Sequence, residues 1–166
     1  KGIYELFEAF NRVVTTCPNS KLLLVGTEEE DCISHIADYP NLKLDENVIY
    51  KGSTKFPEDM YNAADIYVLP TYREAFGLAI LEASSTGLPV ITSDTYGVRD
   101  SIVDSQTGLR CKTYDVDTLA QCMKYLYDNP DERQRLGENG IKYVHENFTT
   151  EMVCGAWLDY YKQVVN

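Results

Sequence analysis

A chain of 166 residues with 44% hydrophobic content can bury one sizeable core, and its length favours a single domain. Its formal charge of −11 argues against nucleic-acid binding and against direct membrane binding by this segment, because both need clustered Lys and Arg. No apolar run approaches the length of a membrane-spanning helix, and no signal peptide opens the chain.

The five cysteines, Cys17, Cys32, Cys111, Cys122 and Cys154, are odd in number and never closely spaced. That pattern favours buried thiols in a reduced, cytosolic compartment over disulfides or a zinc site. His35 and His145 are too few and too far apart to suggest a metal cluster.

Ile3, Leu6, Phe7, Phe10, Val13 and Val14 recur at spacings of three and four, so residues 3 to 16 are predicted to form an amphipathic helix. Pro18-Asn19-Ser20 ends it. Leu22-Leu23-Leu24-Val25 is a continuous apolar run of the kind found in parallel strands covered on both faces, and Gly26 stops it. The acids Glu28-Glu29-Glu30-Asp31 then open a segment of helical character, where they suit a first turn. Residues 41 to 47 are turn-prone, Val48-Ile49-Tyr50 is a short strand leading to Lys51-Gly52, and Pro57 to Ala64 makes a brief helix with proline in its first turn.

Asp65 introduces Ile66-Tyr67-Val68-Leu69-Pro70, a buried strand closed by its proline. Beyond a short loop, Leu78, Ile80, Leu81 and Ala83 continue as one side of a helix that begins near Gly77. The first N–H groups of that helix lack intrahelical partners, and with the helix dipole they suit a phosphate. Gly77, having no Cβ, lets a ligand approach the backbone closely. Glu82, about one turn into the helix, can accept two hydroxyl hydrogens from a vicinal diol such as a ribose, and Glu74 can do the same for a second hydroxylated ring. Taken singly, each glutamate reads by default as a solvated carboxylate near a helix start, a reading that the surrounding motif outweighs.

Pro89-Val90-Ile91-Thr92 is the next strand, and Thr107 to Cys111 a last short one. From Asp115 the signal is helical. Leu119, Cys122, Met123 and Leu126 form one apolar stripe, and Asn129-Pro130 supplies a cap and a first-position proline for the following helix, closed by Val144 and Phe148. Thr149 or Thr150 caps a final helix whose stripe of Val153, Trp157, Tyr160, Tyr161 and Val164 is expected to be core, with part of that surface wanting a partner. Strand and helix alternate about five times, the rhythm of an α/β, Rossmann-like doubly wound parallel sheet.

The stretch from Pro70 through Val90, with Glu74, Phe76, Gly77, Glu82, Ala83, Gly87 and Pro89 at their spacings, resembles without a gap the donor-binding signature of retaining GT-B glycosyltransferases, closest to glycosyltransferase family 4 (group 1). The resemblance implies that residues 1 to 166 are the C-terminal, nucleotide-sugar-binding half of a GT-B fold, with the N-terminal acceptor domain absent. It implies a retaining hexosyl transfer from a nucleotide diphosphate sugar to an acceptor such as a bacterial surface glycan or glycolipid. No cofactor and no metal are expected.

Glu74 would hold the sugar and Glu82 the ribose. The backbone from Ala75 through Leu78, including Phe76 and Gly77, would face the diphosphate, and Gly52 would lie near the base. Lys1, which with Gly2 matches the end of the family's phosphate-clasping pattern, would serve binding and catalysis. Three departures from the pattern are visible: Gly26-Thr27-Glu28 has one glycine where two are usual, and Tyr96 and Asp100 stand in place of a Gly-Gly-x-x-Glu run.

The strand that precedes the lysine in the family is expected to be missing from the middle of the sheet. The fragment would then close the gap or borrow a segment, as a homo-oligomer or by strand exchange, and it would be inactive alone. A cytoplasmic location is expected, with peripheral contact at the inner membrane left open for the full-length enzyme. The alternative reading is a non-catalytic GT-B-like domain that binds a nucleotide sugar or a protein. A dinucleotide-dependent oxidoreductase domain ranks lower, because no G-x-G-x-x-G follows any strand.

Overall fold

A computed structural model describes residues 2–28 and 31–165. In chain order it contains α1 (Ile3–Thr16), β1 (Leu22–Leu24), β2 (Val48–Tyr50), α2 (Pro57–Asn62), β3 (Tyr67–Leu69), α3 (Leu78–Ser85), β4 (Val90–Ser93), β5 (Gly108–Cys111), α4 (Val116–Asp128), α5 (Pro130–Asn147) and α6 (Thr150–Val165). Two 3-10 turns, Ser34–Asp38 and Tyr96–Val98, lie between β1 and β2 and between β4 and β5.

Every strand pair is parallel, as the short apolar runs and helical crossovers require. The strands form two sheets, β1–β2 and β3–β4–β5. Among the described residues no strand pairing joins them, so the gap expected in mid-sheet is not closed by direct pairing of β1 with β3. The two halves are instead held by helices.

Strand β4 is buried along its whole length. Because side chains alternate across a strand, Val90 packs on one face with Ile80, Ala83, Val98 and Ile102, while Ile91 packs on the other with Phe7, Phe10, Leu119 and Leu126. The second cluster also takes in Leu22, Leu24 and Val48, so α1 and α4 bridge both sheets from one side.

Five local expectations need correction. The segment after the acids at 28–31 is helical, as the 3-10 turn Ser34–Asp38, but the described acids do not form its first turn: Glu28 Oε1 accepts the Ile33 N–H at 2.8 Å and Asp31 sits at φ 52°, in the left-handed region. Glu29 and Glu30 lie outside the described residues. Leu78 is 67% exposed rather than part of the buried stripe of α3, because it stands two positions, about 200°, from Ile80. Asn129 occupies the cap position of α5, yet its Nδ2 donates back to Tyr125 O at 2.8 Å and closes α4 instead. Helix α6 buries no residue, so its aromatic stripe is not core here. Cys154, on that helix, is exposed, while Cys17 and Cys111 are buried.

Candidate functional site

Strand β3 delivers the chain to the loop at residues 70–77. Pro70 and Thr71 are buried. Thr71 turns the backbone by donating its N–H to Leu69 O at 3.0 Å and its hydroxyl to Arg73 O at 3.1 Å. The loop is then clamped by residues outside the motif. A Cβ at Gly97 would stand 1.6 Å from the Glu74 carbonyl oxygen and 3.0 Å from that of Ala75, so only glycine lets the Tyr96–Val98 turn lie against the loop. Ser101 donates its hydroxyl to the Phe76 carbonyl, and the Phe76 ring meets Phe148 edge-on at 5.6 Å. Sequence reasoning assigned no role to Gly97 or Ser101. The available signal was the glycine itself, whose need becomes legible once the facing backbone is known.

Gly77 precedes α3 at φ 75° and ψ 49°, the left-handed region that favours glycine. A Cβ there would stand 3.0 Å from Ile80 Cδ1 and 3.3 Å from both Ser101 Oγ and Val98 Cγ1. The glycine therefore opens toward the protein interior, and backbone conformation and packing require it rather than room for a ligand. Its carbonyl accepts the N–H groups of Ile80 and Leu81 at 2.8 and 3.4 Å. The N–H groups of Leu78 and Ala79 precede any acceptor within the helix and carry the positive end of its dipole.

The two glutamates flank this helix start. Glu74 Oε1 accepts the Ala75 N–H at 3.2 Å, so Ala75 is engaged by its own neighbour rather than offered to a ligand. Glu82 Oε2 accepts the Tyr61 hydroxyl at 2.9 Å. Both carboxylates act on Tyr67 of β3: burial pushes its phenol up to about 12, and the charges of Glu82 and then Glu74 add to the shift. Strand β3 thus feels both acids, through Tyr67 at its start, and leads at its other end into the loop before α3.

Helix α1 starts at the same place. Gly2 caps it at φ 59°, and a Cβ there would stand 1.7 Å from Pro70 O. Two helix amino ends therefore open beside the carboxyl end of β3, the region where doubly wound sheets hold ligands. Lys1 lies outside the described residues. Gly52 belongs to the other sheet, in the loop after β2, at φ 67° with its carbonyl accepting the Gly26 N–H at 3.0 Å. Glu28 is engaged in its own loop through Ile33.

A cavity of about 390 Å³, lined by Arg12 and residues 112 to 117, lies on the Tyr72 side of the loop, where Tyr114 stacks on Tyr72 at 4.3 Å. It is wide open, and Arg12 is already paired with Glu8 at 2.9 Å and with Asp117. Its volume therefore carries less weight than the convergence of charge and backbone donors at the β3–α3 turn.

Comparison with known proteins identifies the family and the fold. A family model described as "Glycosyl transferases group 1" matches residues 1–143. The capsular polysaccharide biosynthesis glycosyltransferase CapM of Staphylococcus aureus is 32% identical over 153 residues, covering 92% of this chain and 40% of CapM. A mutant of S. aureus TarM, solved in complex with Fondaparinux, alpha-GlcNAc-glycerol and UDP, superposes with a TM-score of 0.87 at 26% identity, over 96% of this chain and 32% of that one. The C-terminal domain of a glycosyl transferase group 1 family protein (LpcC) from Francisella tularensis shares the fold, with a TM-score of 0.80 at 21% identity over 90% of this chain and 80% of that one. The chain spans about two fifths of the length of the first curated relatives it matches.

Proposed function

Because the chain belongs to the glycosyl transferases group 1 family, we propose that it is the C-terminal, donor-binding half of a retaining GT-B enzyme of glycosyltransferase family 4, moving a hexose from a nucleotide diphosphate sugar to an acceptor held by a companion domain. A bacterial surface glycan or glycolipid suits the acceptor role, given the capsular polysaccharide enzyme among its relatives. The observation that carries this reading is the β3–α3 turn, where Glu74 lies in the loop before the amino end of α3, Glu82 lies about one turn into that helix, and both charges act on Tyr67.

In this reading the pyrophosphate lies on the N–H groups from Phe76 to Leu78, Glu82 takes the ribose hydroxyls and Glu74 the sugar. The diphosphate leaves from the face that the acceptor hydroxyl enters, with no covalent enzyme nucleophile. Fixed N–H dipoles at the helix start, aided by Lys1, stabilise the charge that grows on the leaving phosphate and need no rearrangement during the step. Gly52 would border the base. With the acceptor held by a companion domain, residues 1 to 166 by themselves should not transfer sugar, and the edges of β1 and β3, unpaired among the described residues, make them prone to strand exchange with a second copy.

The test is calorimetric titration of the full-length protein with UDP and GDP, alongside transfer from UDP- and GDP-hexoses. Glu74→Gln with Glu82→Gln should abolish donor use, with at least a hundredfold loss of nucleotide affinity or transfer rate, on the order of two charge-assisted hydrogen bonds. An unchanged rate overturns the site assignment. Nucleotide binding with no transfer to any acceptor marks a binding domain instead of an enzyme.

A further inference from the structure

Helix α2 lies outside the signature stretch, and its Tyr61 is the residue that touches Glu82. Glu82 stands on the exposed side of α3, where an unrestrained carboxylate samples many rotamers. Tyr61 removes that freedom. Its hydroxyl donates to Glu82 Oε2 at 2.9 Å, and its ring is set edge-on against Tyr67 of β3, with centroids 5.7 Å apart at 79°. Both rings pack against the cluster formed by Ile80, Ala83, Leu88 and Val90. The donor is thereby anchored to a sheet strand and a core rather than to a loop. Burial first, and then the bond to Glu82, raise the Tyr61 phenol well above its ordinary value, so it keeps its proton and serves Glu82 as a donor.

A carboxylate has about four acceptor positions. With one on Oε2 taken by Tyr61, Oε1 and the remaining lone pair of Oε2 can still receive both hydrogens of a cis-diol.

We propose that Tyr61 is a positioning residue that presents Glu82 to the ribose hydroxyls of the donor nucleotide, so that α2 takes part in reading ribose against deoxyribose. This rests on the assignment of Glu82 to the ribose, and the two can fail separately.

The experiment titrates the full-length protein with UDP, GDP and ADP, and with the 2′-deoxy form of whichever binds best. Wild type is compared with Tyr61→Phe, Glu82→Gln and the double variant. Tyr61→Phe should weaken the ribonucleotide about tenfold, the worth of one oriented charge-assisted bond, and leave the deoxynucleotide within about twofold, so the preference for ribose shrinks. The rate constant at saturating donor should stay near wild type, and the double variant should bind no more weakly than Glu82→Gln alone.

Equal weakening of the ribo and deoxy ligands by Tyr61→Phe, or no change while Glu82→Gln is weak, overturns the role of Tyr61 and leaves Glu82 in place. Wild-type affinity in Glu82→Gln, or a wild-type protein that binds none of the three nucleotides, overturns the ribose assignment and this proposal with it.

Discussion

At the β3–α3 turn, Phe76 rests on Phe148, Gly97 lies against the Glu74 carbonyl and Ser101 holds the carbonyl of Phe76. Along α6, Trp157, Leu158, Tyr160 and Tyr161 are each more than half exposed, and Trp157 stacks on Tyr161 at 5.8 Å. Both regions are rich in aromatic residues. They differ in whether another part of the chain supplies an opposing surface: the turn is met by the Tyr96–Val98 segment and by Phe148, whereas α6 buries none of its residues. Periodicity specifies that a face is apolar; what covers the face depends on tertiary placement. The two regions should accordingly respond to substitution in opposite ways.

The largest effect is expected at Gly97. Gly97→Ala places a methyl group 1.6 Å from the Glu74 carbonyl oxygen, in contact with backbone that has no rotamer to yield. Relief requires moving either the turn or the loop that carries Glu74, at a cost of about 3 kcal/mol, the upper range for overpacking. Urea unfolding of this chain should show that loss, and calorimetry on the full-length protein should show nucleotide affinity falling with it. Unchanged stability would mean that the loop is not clamped.

That substitution also marks the limit of what the sequence discloses. The ends of α1 were legible because Pro18 and the apolar spacing from Ile3 to Val14 agree, and β1, β3 and β4 were legible because Gly26, Pro70 and Pro89 punctuate their apolar runs. The motif from Pro70 to Val90 named both glutamates. It carried no sign that Gly77 opens inward onto Val98 and Ser101, or that Glu82 meets Tyr61, since these contacts join residues 21 to 24 positions apart. Leu78 was misjudged for a local reason, its angle on the helix, and the exposure of α6 for a non-local one.

The thiols give a second contrast, about a hundredfold in size. Burial pushes the Cys111 thiol up to about 11, two orders above the ordinary value of 9.0, and its Sγ bonds the Thr92 carbonyl at 3.5 Å. At pH 8 its thiolate fraction is about a hundredfold below that of an ordinary thiol. Iodoacetamide should therefore modify Cys154 on α6 rapidly and Cys111 only after unfolding, as read by peptide mass spectrometry. The sign of the linked pH effect follows: the folded thiol holds its proton more tightly than the unfolded one, so this contribution to stability is complete below about pH 9 and is lost as pH rises through 11. Equal labelling of Cys111 and Cys154 in the folded chain would erase the contrast.

The smallest effect is expected at Gly155, and it should have the opposite sign to that at Gly97. Gly155 sits inside α6 with nothing within 4 Å of the position a Cβ would take. Alanine there meets no neighbour and lowers the backbone entropy of the unfolded chain, so Gly155→Ala should stabilise the helix by about 0.5–1 kcal/mol. Thermal unfolding of this chain should show a rise of a few degrees. In the full-length protein the same substitution tests what lies over α6. A gain of the same size leaves the Gly155 side uncovered, whereas a loss places another surface close against it. Either result should leave the β3–α3 turn untouched, because the site is braced by Gly97, Ser101 and Tyr61, all outside α6.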